Sequence, residues 1–354
     1  MTSVPSDARS VGEIALVGAG SLGQAFAALL AGSRQPVTLL ATPATLRRLL
    51  EASGIRLRGV VTLDVPVAPA PAPAGTVGLT GDPADLPGGA GVLFATKGHQ
   101  LREAAAHVRA AWPVTGDGAG WVGGLQNGMA KDDVLAEIFG TERVVGAVTI
   151  LGGERRPEGE IAVASLGCTY LGEIGTASAE PSARVRDAVA RLRAAGIPAE
   201  TPPDVRTVLW SKACNAAGVF GVTSVLRIST PRLFRDPHLI RAYLGLVRET
   251  AAIAAAHGVP VGDYTNFPIG TYVTRPDEET VAALSQKAFL APAATGGVES
   301  FASMTQDLRA GRAIEVDDVF ADLVERGERA GVAVPRLRLV RDFLRGLDPG
   351  HHAG

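Results

Sequence analysis

The sequence predicts a doubly wound α/β domain built on a parallel sheet, followed by an all-α domain. Short apolar runs alternate with helix-forming runs through the first half, the pattern of strands and crossover helices. A glycine-rich turn, Gly18-Ala19-Gly20-Ser21-Leu22-Gly23, falls between the first apolar run and the first helix. Near residue 200 the texture changes: GIPAETPPDV (196–205) carries three prolines, and helical periodicity dominates beyond it. The 354 residues hold two domains, at roughly 150 residues each. Their expected limits are 12–203 and 204–345.

Ile14 to Val17 is a short apolar run ending in glycine and reads as a buried strand. Ser21 to Leu30 holds helix formers without a breaker, and Val37 to Ala41 is a second apolar run. Strand, helix and strand at this spacing make a parallel βαβ unit. Thr45 to Glu51 reads as another helix. The Pro/Ala-rich stretch VPVAPAPAPAG (65–75) reads as an extended surface excursion over the sheet edge. Gly91 to Thr96, Trp121 to Leu125 and Val144 to Ile150 read as strands; Leu101 to Trp112 and Arg184 to Ala195 read as helices.

In the second half, Leu239 to Ala256 keeps helical spacing until Gly258, and Val316, Val319, Phe320, Leu323 and Val324 mark one helix face. GDYTNFPIGTYVTRPDEE (262–279) reads as an inserted loop. Residues 1–11 read as a polar lead-in.

Composition excludes several classes. Hydrophobic residues at 46% and charged residues at 20% are an ordinary globular balance. The 34 basic and 36 acidic residues leave a net charge of −2, so no basic field recruits nucleic acid. Two cysteines, Cys168 and Cys214, are too few for a disulfide framework and fit a reducing compartment, the cytoplasm. No apolar run is long enough to span a membrane, and the opening MTSVPSDARSVGE lacks the apolar core of a secretory signal. The histidines (99, 107, 238, 257, 351 and 352) have no metal-ligand spacing, so no metal is expected. His99 reads as a surface residue, and the His351-His352 pair as a terminal tail.

The glycine turn carries the first chemistry. In GxGxxG between strand and helix, Gly18 permits the tight turn and Gly20 lets the backbone approach a pyrophosphate. Gly23 lets helix and strand pack closely, and the helix N-terminus presents amide donors and positive dipole to the phosphates. The alternative is a structural turn. At the end of the second strand, Thr42 stands where an NAD site usually has an acid for the ribose 2′-hydroxyl. With Arg47 and Arg48 following, a 2′-phosphate is favoured and the expected cofactor is NADP; the alternative leaves both arginines as solvated surface residues.

These pieces together resemble the ketopantoate reductase (2-dehydropantoate 2-reductase) family, over about residues 13–337. The pieces are GAGSLG at 18–23, ATKGHQ at 95–100, LQNGMA at 125–130, LWSKACN at 209–215 and SMTQDLRAGRAIEVD at 303–317. The resemblance implies a Rossmann domain binding NADP(H) and a helical domain similar to the C-terminal domain of 6-phosphogluconate dehydrogenase. It implies NADPH-dependent reduction of a small 2-oxo acid, ketopantoate, in pantothenate biosynthesis, by a cytoplasmic homodimer without nucleic-acid or membrane partners. Carried over, Lys212 donates the proton, and Lys97 and Asn127 lie beside the cofactor and the reacting centre. Glu315 contacts the cofactor and orders the site, and Ser303 contacts substrate. Ala216 and Phe220 stand where the family usually places substrate-binding asparagines, four and eight residues after its lysine. Asn215 lies one residue off that register, about 100° around a helix. A related reductase acting on a bulkier keto or imine substrate of specialised metabolism is therefore the alternative, and a dinucleotide-binding sensor without turnover is a third reading.

The residues support this chemistry independently. Hydride transfer to a ketone builds negative charge on oxygen, which an acid or cation must meet. Lysine suits the task once burial lowers its pKa. Lys212, between Trp210 and Ala213, is the candidate; otherwise it snorkels at the surface. Cys214 on the same run reads as a small packed residue. Lys97 follows an apolar strand, whose carboxyl end faces a cofactor crevice in such sheets; otherwise it is a rim charge. Asn127-Gly128 likewise follows a strand or forms a plain turn. Ser303 to Gln306 has the form of a capping box. Asp307 reads as a helix-start charge, and Glu315, Asp317 and Asp318 as site acids or a solvated first turn.

Overall fold

Alternate side chains of strand β1 (Ile14–Val17) enter two separate cores, as a strand covered on both faces must. Ile14 and Leu16 join Phe26, Leu30 and Leu39 on one side, and Ala15 and Val17 join Phe94, Leu101 and Val108 on the other. Full burial of each large side chain contributes about 1.5–3 kcal/mol. The computed structural model describes residues 13–112, 120–175, 180–265, 267–295 and 300–350; the polar lead-in and the terminal histidine pair lie outside the described residues.

The chain divides into two compact units. The first comprises the residues up to Thr96, Gln100–Leu125 and Val134–Pro203; the second comprises Lys97–His99, Gln126–Asp133 and Asp204 onward. In the first unit β1 is followed by α1 (Ser21–Gly32), β2 (Val37–Leu40), α2 (Pro43–Ala52), β3 (Gly54–Gly59), β4 (Leu63–Pro69), β5 (Val77–Thr80) and β6 (Gly91–Phe94). Then come α3 (Gly98–Ala111), β7 (Trp121–Gly124), α4 (Ala130–Phe139), β8 (Val145–Arg155), β9 (Ile161–Glu173), α5 (Ala183–Ala194) and β10 (Ala199–Glu200). The first residues of α3 and α4 group with the second unit.

The strand order is β10-β9-β3-β4-β5-β2-β1-β6-β7. The run from β4 to β7 is parallel, which is the expected doubly wound core. The sheet is nevertheless mixed, because β3–β4 and β8–β9 pair antiparallel. A parallel bridge between Val122 and Val144 brings β7 to the start of β8, so the sheet curls back on itself.

Two sequence expectations are corrected here. Residues 65–75 do not begin as a loop: Leu63–Pro69 is β4, an interior strand whose Val65 is buried while Asp64 and Pro66 are exposed. The alternation suits a strand, and the prolines had masked it. The strand expected to end at Ile150 runs on to Arg155, because the register shifts at Thr149/Leu151 and at Gly152/Gly153 absorb the irregularity.

The second unit is built around α6 (Val205–Leu226), which is buried on nearly every side, as an all-round apolar helix should be. Asp204 caps its start, accepting from the Arg206 N–H at 2.9 Å. Around it stand α7 (Thr230–Arg235) and α8 (Pro237–Ala256), a small hairpin of β11 (Asp263–Tyr264) and β12 (Phe267–Pro268), and α9 (Ile269–Thr274). They are followed by α10 (Asp277–Thr295), α11 (Ser303–Arg309), a π-helical turn at Asp317–Ala321, α12 (Asp322–Arg329) and α13 (Pro335–Leu347). The inserted loop expected at 262–279 is thus structured. Asp263 accepts from the Thr271 N–H at 2.8 Å and from the Thr271 hydroxyl at 2.6 Å, locking the hairpin to α9.

Candidate active site

In the first unit the glycine turn has the geometry that its spacing implies. Gly18 sits at φ +105°, a region that side chains other than glycine rarely adopt, and its N–H donates to Leu40 O at 3.0 Å. A Cβ at Gly23 would stand 2.0 Å from Gly18 O, whereas one at Gly20 would meet nothing closer than Ala95 O at 3.9 Å. Close packing therefore requires glycine at 23, while at 20 the space beside the backbone is open. Gly20 is the N-cap of α1 and no side chain caps that end, so an anion fits there. Thr42 is the exposed N-cap of α2, its hydroxyl bonded to that of Thr45 at 3.2 Å. Arg47 is exposed. Arg48 has a buried Nη2 without a hydrogen-bond acceptor, and burial followed by the charge of Arg155 lowers its pKa.

In the second unit the structure gathers Lys97, Glu315 and Lys212 into one charged cluster. Glu315, 6% exposed, accepts from the Gly98 N–H at 2.8 Å, and its other oxygen lies 3.8 Å from Lys97 Nζ. Lys97 also pairs with Asp307, whose second oxygen takes Arg312 at 2.8 Å. Lys212 is half-buried on α6 between Trp210 and Ala213, both buried. Burial, then the like charge of Lys131, pulls its pKa down to about 8, against the opposing pull of Glu315.

Asn127 is half-buried at the head of this segment, and Gly128 after it has φ +91°. A Cβ at Gly128 would lie 2.2 Å from Asp318 O, and one at Gly98 would lie 2.5 Å from Asp318 Cγ. The two glycines after Lys97 and Asn127 thus make room for one residue of the π-helical turn. Burial, followed by the charge of Glu315, raises Asp318 to about 6.

Several sequence readings change. Ser303 does not cap α11: the helix begins one residue earlier in its capping register, with Ala302 as N-cap and Ser303 inside, and Gln306 donates its amide to Phe301 O at 2.8 Å. Asp307 is no helix-start charge, being 3% exposed and paired with two cations. Glu315 is not part of a solvated turn; only Asp317 of the three acids is exposed, paired with Arg345 at 2.6 Å. Asn215 is engaged by Tyr243, whose hydroxyl donates to it at 3.0 Å. Ala216 and Phe220 are buried.

Sequence reasoning missed Lys131 and Asp132. Lys131 is 4% exposed and pairs with Asp132 at 2.9 Å. The charged run at 131–133 looks like an ordinary helix start. A lysine in the first turn of a helix opposes the dipole, and that was the signal available. Among the described residues no cluster of three His, Cys, Asp or Glu is placed to hold a metal, and no helix is long and apolar enough to cross a membrane.

Residues 14–176 match the family described as "Ketopantoate reductase PanE/ApbA", and residues 204–348 match "Ketopantoate reductase PanE/ApbA C terminal". A 2-dehydropantoate 2-reductase from Archaeoglobus fulgidus is 26% identical over 343 residues, covering 96% of this chain and 99% of the relative. A crystal structure of 2-dehydropantoate 2-reductase from Geobacter metallireducens has a TM-score of 0.75 at 23% identity, covering 95% of this chain and 99% of the other. The ternary structure of D-mandelate dehydrogenase with NADH and anilino(oxo)acetate also has a TM-score of 0.75, at 18% identity, covering 97% of this chain and 100% of the other. The two structural likenesses are likenesses of fold.

Proposed function

This chain belongs to the ketopantoate reductase family, an oxidoreductase family, and on that premise we propose that it is an NADPH-dependent reductase of a small 2-oxo acid, with ketopantoate as the first candidate. The observation that carries the reading is Lys212, a half-buried ammonium on a helix most of whose residues are buried, placed within the charge field of Glu315. The nicotinamide cofactor, when bound, supplies the hydride to the carbonyl carbon.

The chain's own residues do the rest. The backbone of Gly18, Ala19, Gly20, Ser21, Leu22 and Gly23 holds the pyrophosphate; the open space at Gly20 and the uncapped end of α1 support this. Thr42 bonds the 2′-phosphate, and Arg47 and Arg48 are the cations near it in sequence; the Arg48 Nη2 that lacks an acceptor supports an anion in this region. Lys212 gives its Nζ proton to the oxygen that gains negative charge. A pKa of about 8 keeps it protonated at neutral pH and makes it a better acid than a free lysine. Glu315 and Lys97 border the cofactor, and Glu315 holds the Gly98 backbone in place. Asn127 and Ser303 take the substrate carboxylate. The Rossmann role falls to residues 12–203 and the substrate and pairing role to 204–345.

A second reading has its own support. The two positions one and two turns beyond Lys212 are Ala216 and Phe220, and Asn215 is held by Tyr243. That side of α6 lacks the amides that would bind a hydroxylated substrate, which favours a bulkier keto or imine substrate in specialised metabolism. Steady-state NADPH oxidation with ketopantoate and with bulkier 2-oxo acids decides between them. Ketopantoate turnover at kcat/KM of about 10⁴ M⁻¹s⁻¹ or more removes the second reading; no ketopantoate turnover removes the first.

We further read the chain as a cytoplasmic homodimer. Leu339 and Phe343 support the dimer as two large apolar side chains exposed one turn apart on α13. The two free thiols support the compartment. Light scattering tests the dimer.

A further inference from the structure

Helix α6 is sealed along most of its length. Between Val208 and Ser224 every residue is buried except Lys212, Asn215 and Val219. These three recur at i, i+3 and i+7, so they stand on one face of the helix. The narrow accessible strip that carries the Lys212 ammonium therefore carries the Asn215 amide one turn further on, with Cβ atoms about 5–6 Å apart.

Asn215 is held from behind. The Tyr243 hydroxyl donates to Asn215 Oδ1 at 3.0 Å. Tyr243 is fully buried, and its ring fills the space beside Gly218, where a Cβ would lie 2.5 Å from Tyr243 Cδ2. Phe234 and Tyr272 pack edge-on against the same ring, with centroids 5.3 and 6.4 Å away. Burial raises the Tyr243 pKa well above its ordinary value, so the phenol keeps the proton it donates. With Oδ1 turned to Tyr243, the amide presents Nδ2 on its other side, and Nδ2 donates to no described residue. The strip thus holds two hydrogen-bond donors, one charged and one fixed in orientation.

We propose that Asn215 binds substrate: its Nδ2 donates to the carboxylate of the 2-oxo acid whose keto oxygen meets Lys212, and Tyr243 is the positioning residue that aims it. The inference rests on the reading of Lys212 as proton donor. A 2-oxo acid carries its keto and carboxylate oxygens on adjacent carbons, so two donors one turn apart on one helix face can engage both at once. A carboxylate has about four lone-pair sites, so Asn215 shares it with Asn127 and Ser303. Asn215 transfers no proton; it holds the carbonyl carbon in place for the hydride.

The test uses the full-length protein, saturated with NADPH, and whichever 2-oxo acid of the panel above it reduces best. Asn215→Ala should raise KM roughly tenfold to a hundredfold, the loss of one hydrogen bond to a charged group. kcat should stay close to wild type, as it does when binding common to substrate and transition state is removed. Asn215→Asp still accepts from Tyr243, so a purely structural role survives in it. Its KM should nevertheless rise more than that of Asn215→Ala, because like charges then oppose each other. NADPH affinity and melting temperature should match wild type in both. Tyr243→Phe keeps the ring but frees the amide to rotate, and should raise KM by less than Asn215→Ala. A wild-type KM in Asn215→Asp overturns the proposal, and a wild-type KM in Tyr243→Phe overturns the positioning role. Full turnover by Lys212→Ala would instead overturn the proton-donor reading. The two failures are distinguishable, because the Asn215 variants are read in KM and the Lys212 variant in kcat.

Discussion

Glu315 accepts the backbone N–H of Gly98 at 2.8 Å across 217 positions of sequence. One buried carboxylate thereby fixes the backbone just after Lys97 and contributes negative charge at Lys212. Glu315→Gln keeps an acceptor for Gly98 but removes the charge that favours protonated Lys212. The basic limb of kcat/KM should therefore move to lower pH. Glu315→Ala leaves the Gly98 N–H unpaired and should destabilise by about 1–3 kcal/mol in chemical unfolding.

Lys212→Ala removes the proposed acid while leaving the glycine turn intact. Turnover should fall by about a hundredfold to ten-thousandfold, with NADPH affinity by fluorescence titration unchanged. In the wild type, reduction should fall as pH rises through about 8, because the donor is then deprotonated.

The second and third glycines of the turn should separate folding from binding. Gly23→Ala places a methyl group 2.0 Å from Gly18 O and should lower the melting temperature. Gly20→Ala meets only Ala95 O at 3.9 Å, so its melting temperature should match the wild type while dinucleotide affinity drops. Differential scanning fluorimetry and a binding titration check both.

Burial and the nearby charge of Glu315 raise the Asp318 pKa from 3.8 to about 6. A raised carboxylate pKa means that the folded state loses stability as pH climbs from the unfolded value through the folded one. Asp318→Asn should therefore be more stable than wild type above about pH 6. The difference should shrink on acidification and vanish below 3.8. Urea unfolding across that range is the measurement.

For cofactor choice, Arg47→Ala and Arg48→Ala should each weaken NADPH binding by roughly tenfold, the loss of one charge-assisted contact. NADH binding should be unchanged. Equal affinity of the wild type for both cofactors would remove the 2′-phosphate reading of Thr42 and the two arginines.

The strands and helices that sequence reading located have strong local signals. β1, α1 and β2 follow from apolar runs around one glycine turn, and α8 from uninterrupted helical spacing. β4 was hidden by prolines that its interior position tolerates, and β9 by a partner strand whose register shifts. The helix-start reading of Asp307 and the capping reading of Ser303 failed for one reason. Both were judged by the helix that carries them, whereas Asp307 answers to Lys97, 210 positions away, and the cap belongs to Ala302.

What the sequence by itself determined were the features whose cause lies within a few residues: the glycine turn before α1, the βαβ order, the change to helical texture near 200, and the residue types Lys97, Asn127, Lys212 and Glu315. The tertiary structure alone decided which charges share a buried environment. Only folding places Glu315 on Gly98 and Asp307 on Lys97, and brings burial and the charge of Glu315 to bear on Lys212. The reason is physical: backbone preferences act between near neighbours, but desolvation and Coulomb interaction depend on distance in space. No local pattern records which lysine will lose its water.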